Sequence, residues 1–241
     1  MSDRRGARHK QLPLSIGLRE SAHFANFVAG ENRQLVEAVE AMMRAARDQE
    51  RCLYVWGGEG VGKSHLLQAA CHAAAEAGQT AIYLPLSQAD QFAPQMLEGM
   101  EQMAVVAIDD IDAIAGDRAW ETAIFHLYNR MRDESEGALI VAATTPLASS
   151  PLQLADLRSR LAWGLVFQLQ GLDDDGKLAA LRRAARGRGL DLSDEVANYL
   201  LRHYRRDLAA LMALLEKLDE VSLVAQRRLT IPFVKSVIES E

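Results

Sequence analysis

The sequence predicts an α/β fold in which helices flank a parallel sheet and a small all-helical unit follows it. Between residues 52 and 169, short apolar runs alternate with stretches of helical spacing, which is the order of a parallel sheet with right-handed crossovers. A glycine-rich loop joins the first apolar run to the helix after it. Beyond Gly171 every segment has helical spacing. We therefore expect a flexible tail at 1–20, an α/β domain at 21–170 and a helical lid domain at 171–241.

The elements of the α/β domain follow from the apolar runs and their spacing. Short runs rich in strand-forming residues predict five strands, at 52–56, 80–84, 104–108, 139–143 and 165–169. Helical spacing predicts helices at 32–47, at 64–77, over a stretch that ends near Met100, and at 120–132. A polar turn is expected between the last two strands.

Four helices are expected in the C-terminal region, at 174–186, 193–204, 207–225 and 231–238. Ser193, followed by Asp194 and Glu195, has the composition of a helix N-cap and first turn. Thr230, followed by Pro232, predicts a second helix start. The boundaries of this all-helical unit are therefore marked by capping residues.

Composition excludes several classes of protein. The chain has 241 residues, 49% hydrophobic and 25% charged, which is ordinary for a globular protein with a proper core. A net charge of -6 disfavours a role that consists mainly of gripping bare DNA. The sequence has no membrane-spanning run and no secretory signal pattern. Cys52 and Cys71 lack the spacing of a metal site, so we expect buried reduced thiols in a cytoplasmic protein.

The most specific motif is the glycine-rich loop, which fits the phosphate-binding pattern G-x-x-x-x-G-K-[ST]. Its glycines let successive backbone N–H groups point at an anion. Lys63 adds a point charge for the β- and γ-phosphates, and the hydroxyl of Ser64 suits a Mg²⁺ ion. A helix that starts near Lys63 adds its positive dipole end. The residues expected to bind the nucleotide here are Gly57, Gly58, Glu59, Gly60, Val61, Gly62, Lys63, Ser64 and His65.

Two acids follow the third predicted strand. Because ligands of an open α/β sheet bind at the carboxyl ends of its strands, Asp109 and Asp110 are expected beside the phosphate loop. Asp109 would hold Mg²⁺, directly or through water, and Asp110 would orient the attacking water. Thr144, at the end of the next strand, could contact the γ-phosphate, or Thr144 and Thr145 could simply start the turn into Pro146.

Together these motifs resemble the AAA+ ATPases, and more closely the family of the bacterial initiator DnaA. Residues 24–30, with Phe24 and Phe27, resemble the segment that opens the DnaA module and packs near the adenine. Residues 156–164 resemble box VII of DnaA, which implies that Arg160 is an arginine finger, with Arg158 as the competing candidate. An internal salt bridge from Arg160 to Asp156 is the structural alternative.

The resemblance is strongest to the short DnaA homologues of the Hda type. Residues 11–14 are similar to their clamp-binding motif, 225–233 to their C-terminal segment, and 56–71 and 119–132 also match. Such proteins bind ADP and the DNA-loaded sliding clamp of DNA polymerase III, and they promote hydrolysis of the ATP held by DnaA. The resemblance therefore implies a negative regulator of replication initiation that reaches DNA only through the clamp, at the nucleoid of the cytoplasm.

The tail itself has the chemistry of a docking motif. Gln11 supplies oriented hydrogen bonds, Leu12 and Leu14 can fill apolar subsites, and Pro13 lowers the entropy that is lost on binding. Without the resemblance, packing of these leucines against the fold would be the simpler interpretation. With it, we expect Gln11, Leu12, Pro13 and Leu14 to bind the clamp.

One position departs from the DnaA pattern. Alignment of residues 207–211 with the start of a lid helix places Ala209 where the pattern has the sensor 2 arginine, and Arg205 and Arg206 lie one turn earlier. This departure favours a protein that holds ADP, or another nucleotide, and acts on the ATP of a partner.

Two alternatives stay open. The first is a stand-alone ATPase such as a helicase loader, and the second is a DNA-binding initiator. Because this chain stops at Glu241, where DnaA continues into a helix-turn-helix domain, we expect no sequence-specific DNA binding. Homo-oligomers formed through Arg160 and the phosphate loop are also open.

Overall fold

A five-stranded parallel sheet forms the centre of the molecule. The structure is a computed structural model and describes residues 18–44, 50–204, 207–225 and 229–239. The strands are β1 (Cys52–Trp56), β2 (Ala81–Pro85), β3 (Val105–Asp109), β4 (Ala138–Ala143) and β5 (Leu165–Gln168). They lie in the order β2-β3-β4-β1-β5, and each neighbouring pair is parallel. All five predicted strands are confirmed, each starting within one residue of its expected position.

Burial explains why the strands read as continuous apolar runs. Every residue of β3 and of β4 is buried, because helices cover both faces of the sheet. In the edge strand β5, half-buried and exposed residues alternate instead. Strands β3 and β4 could therefore be recognised from composition alone.

Four helices cover the two faces of the sheet: α1 (Arg33–Arg44), α2 (Lys63–Glu76), α3 (Arg118–Glu134) and α4 (Ala155–Trp163). On one face, Leu53 and Val55 of β1 share a core cluster with residues of α1 and α2. On the other face, Tyr54 shares a cluster with residues of α3 and α4. Each face thus has its own apolar core, and β1 contributes to both.

The prediction of a helix that ends near Met100 is wrong. The chain from β2 to β3 instead forms three short 3₁₀ segments, Leu86–Gln91, Pro94–Leu97 and Met100–Gln102. Pro94 lacks a backbone N–H and cannot sit inside a longer helix. The buried side chains of Leu86, Leu97 and Met100 produced the helical spacing, and they pack against the sheet without a continuous helix.

The prediction of a simple polar turn between β4 and β5 is also wrong, because that stretch contains the helix α4. Leu157 and Leu161 lie four residues apart on one face of this helix and are fully buried. The polar residues between them, including both arginines of the box VII match, obscured this short apolar stripe.

The lid contains four helices, α5 (Asp174–Gly187), α6 (Asp194–His203), α7 (Leu208–Ala225) and α8 (Ile231–Ile238). The side chains of Ser193 and Thr230 accept hydrogen bonds from backbone amides at the starts of α6 and α8, so both predicted caps are confirmed. A separate apolar cluster fills the centre of the lid. Within the four described ranges, no helix combines the length and hydropathy needed to cross a membrane.

A glycine sets how closely α4 approaches β1. A methyl group on Gly164 would overlap the carbonyl oxygen of Cys52. We expect Gly164→Ala to lower the free energy of unfolding by about 1–3 kcal/mol, since the helix must move off the strand. Gly187→Ala is the control, because no atom lies within 4 Å of the added carbon, and it should be neutral or stabilise by about 0.4–1 kcal/mol. Urea denaturation measures both, and equal stability of the two variants would contradict the close approach.

Candidate functional site

The phosphate loop leaves the sheet at the carboxyl end of β1, between the ends of β4 and β5. Gly57 donates its amide to the Ala143 carbonyl at 3.2 Å, and Leu169 donates to the Trp56 carbonyl at 2.7 Å. A side chain on Gly57 would come within 2.6 Å of the Leu169 oxygen, so the first motif position tolerates no Cβ. Gly60 has φ +70°, a conformation that glycine adopts at no steric cost.

The amides of this loop are turned away from the protein's own acceptors. Among the described residues, no group accepts a hydrogen bond from the backbone N–H groups of residues 58–65. The Lys63 side chain is buried, and its ammonium donates to the carbonyls of Gly57 and Gly58, at 2.8 Å each. A run of free amides beside a buried cation at a helix start is a site for an anion with several oxygens.

Asp109 is a fully buried carboxylate at the end of β3. Its two oxygens accept hydrogen bonds from the Tyr83 hydroxyl at 2.7 Å and from the Asp110 amide at 3.0 Å. Burial, followed by the charge of Asp109, raises the pKa of Tyr83, and contacts with Gln68 and Ser64 oppose the shift. Tyr83 thus stays a neutral hydrogen-bond donor and joins the end of β3 to the first turn of α2. No local sequence pattern pointed to this tyrosine.

Asp110 is half-buried and has φ 54°, in the left-handed region. It stands at the N-cap position of a short 3₁₀ segment, Ile111–Ile114, without a capping hydrogen bond from its side chain. Burial, followed by the charge of Asp109, raises the pKa of Asp110, while Lys63 lowers it. Its carboxylate therefore lies within the electrostatic reach of both the buried acid and the loop lysine.

A third acid, Asp112, connects the ends of β3 and β4. One of its oxygens accepts hydrogen bonds from the backbone N–H and the hydroxyl of Thr144, the latter at 2.7 Å. The other oxygen accepts from the Thr145 hydroxyl at 3.2 Å. The structure therefore brings Thr144 to the expected edge of the sheet, with its hydroxyl directed at Asp112. Asp112 lies two residues beyond the acid pair, and this spacing was the signal that could have found it.

Phe27 and His65 form one wall beside the loop. Their rings meet edge to face at 5.5 Å, and Phe27 lies 3.5 Å from where a Cβ on Gly62 would be. Burial lowers the pKa of His65, so its imidazole is neutral near pH 7. Phe24 and Phe27 both pack on the core of that face, and Phe27 also contacts His65 and lies beside Gly62.

Hydrogen bonds join this wall to the lid. The buried Asn32 side chain accepts from the Gln170 amide at 2.7 Å and donates to the Gln170 carbonyl at 3.0 Å. Arg183 of α5 donates to the Phe27 carbonyl at 3.0 Å. These hydrogen bonds therefore connect the segment before α1 to the segment that follows β5 and to α5.

Ala209, in the first turn of α7, lies directly over the loop. A Cβ on Gly60 would meet the Ala209 methyl at 3.3 Å. The position aligned with the sensor 2 arginine is thus at the phosphate loop, as that alignment requires, and it carries a methyl group. Arg205 and Arg206 lie outside the described residues.

Arg160 is on α4, where its guanidinium stacks on the Trp163 ring, 4.2 Å from the ring centre. In the described part of the chain it has neither an ion pair nor a hydrogen-bond acceptor, so the alternative salt bridge to Asp156 is not formed. Arg158 has a buried Nε without a hydrogen-bond partner among those residues. Both arginines are half-buried, and Arg160 is the one fixed against a ring.

Arg160 lies near the amino-terminal ends of the strands, whereas the phosphate loop lies at their carboxyl ends. Gly164, one turn beyond it, packs on Cys52 at the start of β1, and Tyr128 is within the electrostatic reach of Cys52, Glu50 and Arg160 together. The five residues of β1 span about 13 Å at the usual rise of a parallel strand. The anion that Arg160 can contact is therefore not one bound in its own loop.

A buried glutamate holds the start of α4. Glu121, only 1% exposed, accepts hydrogen bonds from the amides of Gly116 at 2.8 Å, Gln153 at 3.0 Å and Leu154 at 2.5 Å. These amides belong to the loop after β3 and the loop after β4. Glu121 thus joins the loop after β3 to the start of α4. In the sequence it looks like an ordinary acid of an exposed helix, so nothing marked it.

The proposed clamp-binding residues, Gln11, Leu12, Pro13 and Leu14, lie outside the described residues. The same is true of Gln226, Arg227 and Arg228 in the C-terminal match. The assignment of both segments stays a prediction.

A parallel sheet in this order, with a phosphate loop after β1, acids after β3, threonines after β4 and a helical lid, is the fold of an AAA+ P-loop protein. Residues 18–168 match the family model of the bacterial DnaA ATPase domain. Residues 174–238 match the model of the Hda lid domain. The chain therefore belongs to the DnaA family of AAA+ proteins, with a lid of the Hda type.

Solved structures agree with this fold. Domain III of the Thermotoga maritima replication initiation protein DnaA aligns with a TM-score of 0.79 and 21% identity, over 93% of this chain and 98% of that one. AMPPCP-bound DnaA from Aquifex aeolicus gives 0.69 and 22%, over 83% and 65%. The T. maritima RuvB Holliday junction branch migration motor gives 0.62 and 17%, over 86% and 69%. At these identities the likeness concerns the fold alone.

The raised pKa of Asp110 predicts a pH-dependent effect of Asp110→Asn. Above the raised pKa the ionised side chain opposes folding, and this penalty is absent below the unfolded value of about 3.9. We expect Asp110→Asn to raise the Tm at pH 7.5 in nucleotide-free protein, with an advantage that narrows as the pH is lowered.

Asp110→Ala is the matched control, because asparagine tolerates the positive φ whereas alanine costs about 1–2 kcal/mol there. Thermal unfolding at several pH values measures both variants. An advantage of Asp110→Asn that is constant with pH would contradict the electrostatic origin.

Proposed function

We propose that this chain is a nucleotide-bound negative regulator of replication initiation, which docks on the DNA-loaded sliding clamp and stimulates hydrolysis of ATP held by DnaA. The observation that carries the proposal is Arg160, a guanidinium without a carboxylate partner in the described structure, at the sheet edge opposite its own phosphate loop. The Hda-type lid supports the same conclusion.

The proposed resident ligand is ADP, or another nucleoside diphosphate or ATP, with Mg²⁺. The free amides of residues 58–65 and Lys63 fit a diphosphate. Ser64 and Asp109 would hold Mg²⁺, which neutralises phosphate charge when bound. At such sites Mg²⁺ is usually bound by one or two protein groups together with phosphate and water oxygens. Phe27 would lie on the base side.

The proposed catalytic step uses Arg160 in trans. Charge builds up on the γ-phosphoryl oxygens of the partner's ATP as its bond to the leaving group breaks, and a guanidinium placed there stabilises that charge. Arginine fingers contribute about 10³–10⁵ in rate in other phosphoryl-transfer systems. Because no acid is paired with Arg160 within the described ranges, no salt bridge there has to break first.

Weak or absent ATP turnover by the chain itself is part of this proposal. Ala209 cannot supply the cation that a sensor 2 arginine would bring to the phosphates, although it lies over Gly60. Asp110 would then orient water and Thr144 would contact the γ-phosphate, as expected from the sequence, without the lid cation that completes the site.

The proposed partners are DnaA and the clamp, with DNA contacted indirectly and the protein placed in the cytoplasm, at the nucleoid. The alternative is a stand-alone AAA+ ATPase, such as a helicase loader, which the complete phosphate loop and buried Asp109 favour. Homo-oligomers in which Arg160 meets the loop of a second copy fit either function.

The test measures hydrolysis of ATP on purified DnaA with DNA-loaded clamp, with and without this protein. We expect stimulation by the wild type and its loss, by at least about 10³-fold if Arg160 acts as other fingers do, in Arg160→Ala. Arg202→Ala, a substitution of an exposed lid arginine, is the control and should stimulate normally.

Each result has a definite meaning. Stimulation that survives Arg160→Ala but not Arg158→Ala would transfer the role to Arg158. An absence of stimulation by the wild type, with a competent clamp, would contradict the regulator and favour the stand-alone ATPase.

A second prediction concerns clamp docking through the tail. Gln11→Ala should weaken binding to loaded clamp by about tenfold or more, since an interface glutamine that fixes orientation loses its hydrogen bonds. Arg8→Ala, a nearby tail substitution outside the motif, should bind normally. Surface-bound clamp on primed DNA measures both, and equal binding of Gln11→Ala and wild type would remove residues 11–14 from the proposal.

A further inference from the structure

Trp163 is an unusual surface residue. It is 57% exposed, and among the described residues it and Val166, at 44%, are the large hydrophobic side chains left exposed. Tryptophan is highly buried on average, so an indole this exposed is uncommon. The residue is the last of α4 and lies one turn beyond Arg160.

The ring of Trp163 is in contact with a cation. The Arg160 Cζ lies 4.2 Å from the ring centre, and the Arg132 Cζ lies 5.7 Å away. Arg132 already donates from Nε to Asp133 at 2.8 Å, and that hydrogen bond raises its pKa. The two guanidiniums therefore differ, since Arg132 is paired with an acid and Arg160 is paired with the ring.

We propose that Trp163 is a positioning residue, which holds the Arg160 guanidinium in place for an anion on a partner without using its hydrogen-bond donors. This inference rests on the proposed function of Arg160 and adds the residue that pre-organises it. A carboxylate in the place of Trp163 would also fix the arginine, but it would occupy N–H groups and cancel the charge.

A ring face fixes the cation differently. It attracts the guanidinium through its quadrupole and contacts the plane of the group, so the five N–H donors at the rim stay free. Arginine also carries large rotamer freedom, and a side chain that is already ordered loses less entropy when it meets the phosphate. Trp163 therefore orders the Arg160 guanidinium without neutralising its positive charge. An arginine finger that acts on another molecule's nucleotide requires both.

Spacing on the helix makes the contact local. Residues three apart on an α-helix lie on the same face, so the stack forms within α4 and needs no partner. The buried Leu157 and Leu161 anchor the helix to the core. The stacked pair therefore exists before any encounter.

The experiment uses the full-length protein in the DnaA hydrolysis assay with loaded clamp and compares Trp163→Leu with Trp163→Phe. Trp163→Leu keeps the apolar surface without a ring, and we expect it to lower the saturating stimulated rate about twofold to fivefold, the range of one cation–π contact at an exposed site. The protein concentration for half-maximal stimulation should stay within about twofold. Trp163→Phe retains a ring and should restore most of the rate.

A double variant separates positioning from a direct role. If Trp163 acts through Arg160, Arg160→Ala with Trp163→Leu will be no slower than Arg160→Ala alone. Val166→Thr, which changes the neighbouring exposed side chain, is the matched surface control and should leave the rate unchanged. Thermal unfolding of each variant checks that the fold is retained, since an exposed indole contributes little to the core.

The outcomes distinguish the two levels of inference. If the wild type does not stimulate hydrolysis, the proposed function fails. If the wild type stimulates but Arg160→Ala stimulates equally, Arg160 is not the finger and the positioning role of Trp163 fails with it. If Arg160→Ala abolishes stimulation but Trp163→Leu matches wild type, the positioning role alone is overturned. A change only in the half-maximal concentration, shared by Val166→Thr, would likewise overturn it, because Trp163 would then be an apolar docking contact.

Discussion

The place of β1 between β4 and β5 is the constraint on which the rest of the structure depends. Because all five strands are parallel, the loop after β1 must leave the sheet with the end of β4 on one side and the start of the lid connection on the other. The Gly57–Ala143 and Trp56–Leu169 hydrogen bonds record this arrangement. The topology thus brings together, at the carboxyl ends of the strands, the amides of the phosphate loop, the acids after β3, the threonines after β4 and the lid.

The same topology separates two kinds of chemistry within one domain. The carboxyl edge holds the loop with its free amides, whereas the amino edge presents the Arg160 guanidinium. The length of the strands separates the phosphate loop from Arg160. Helix α4 runs between the two ends of the sheet, because Glu121 holds its start at the carboxyl ends of the strands and Gly164, just after it, packs on Cys52. A rigid helix that runs between the edges fixes the arginine relative to the sheet, and the proposed trans action needs that fixed direction.

Local patterns made most of the fold predictable from the sequence, and long-range pairing explains what was not. The strands and the phosphate loop were recognisable because β3, β4 and the motif each have a signature within a few residues. Residues 86–102 and α4 were misjudged because their apolar spacing is short and is completed by contacts with the sheet. Tyr83, Asp112 and Glu121 could not be assigned, since each acts on a partner 26 to 33 residues away.

The bonds around Asn32 have a consequence for the motion of the lid. Gln170 is held at both its amide and its carbonyl by one buried side chain, and Arg183 is tied to Phe27 a few residues earlier in the chain. A rotation of the lid about this connection therefore strains the aromatic wall as well as lifting Ala209 from Gly60. A ligand that left the loop by rotation of the lid would therefore depart at a rate that depends on breaking the Asn32–Gln170 and Arg183–Phe27 hydrogen bonds.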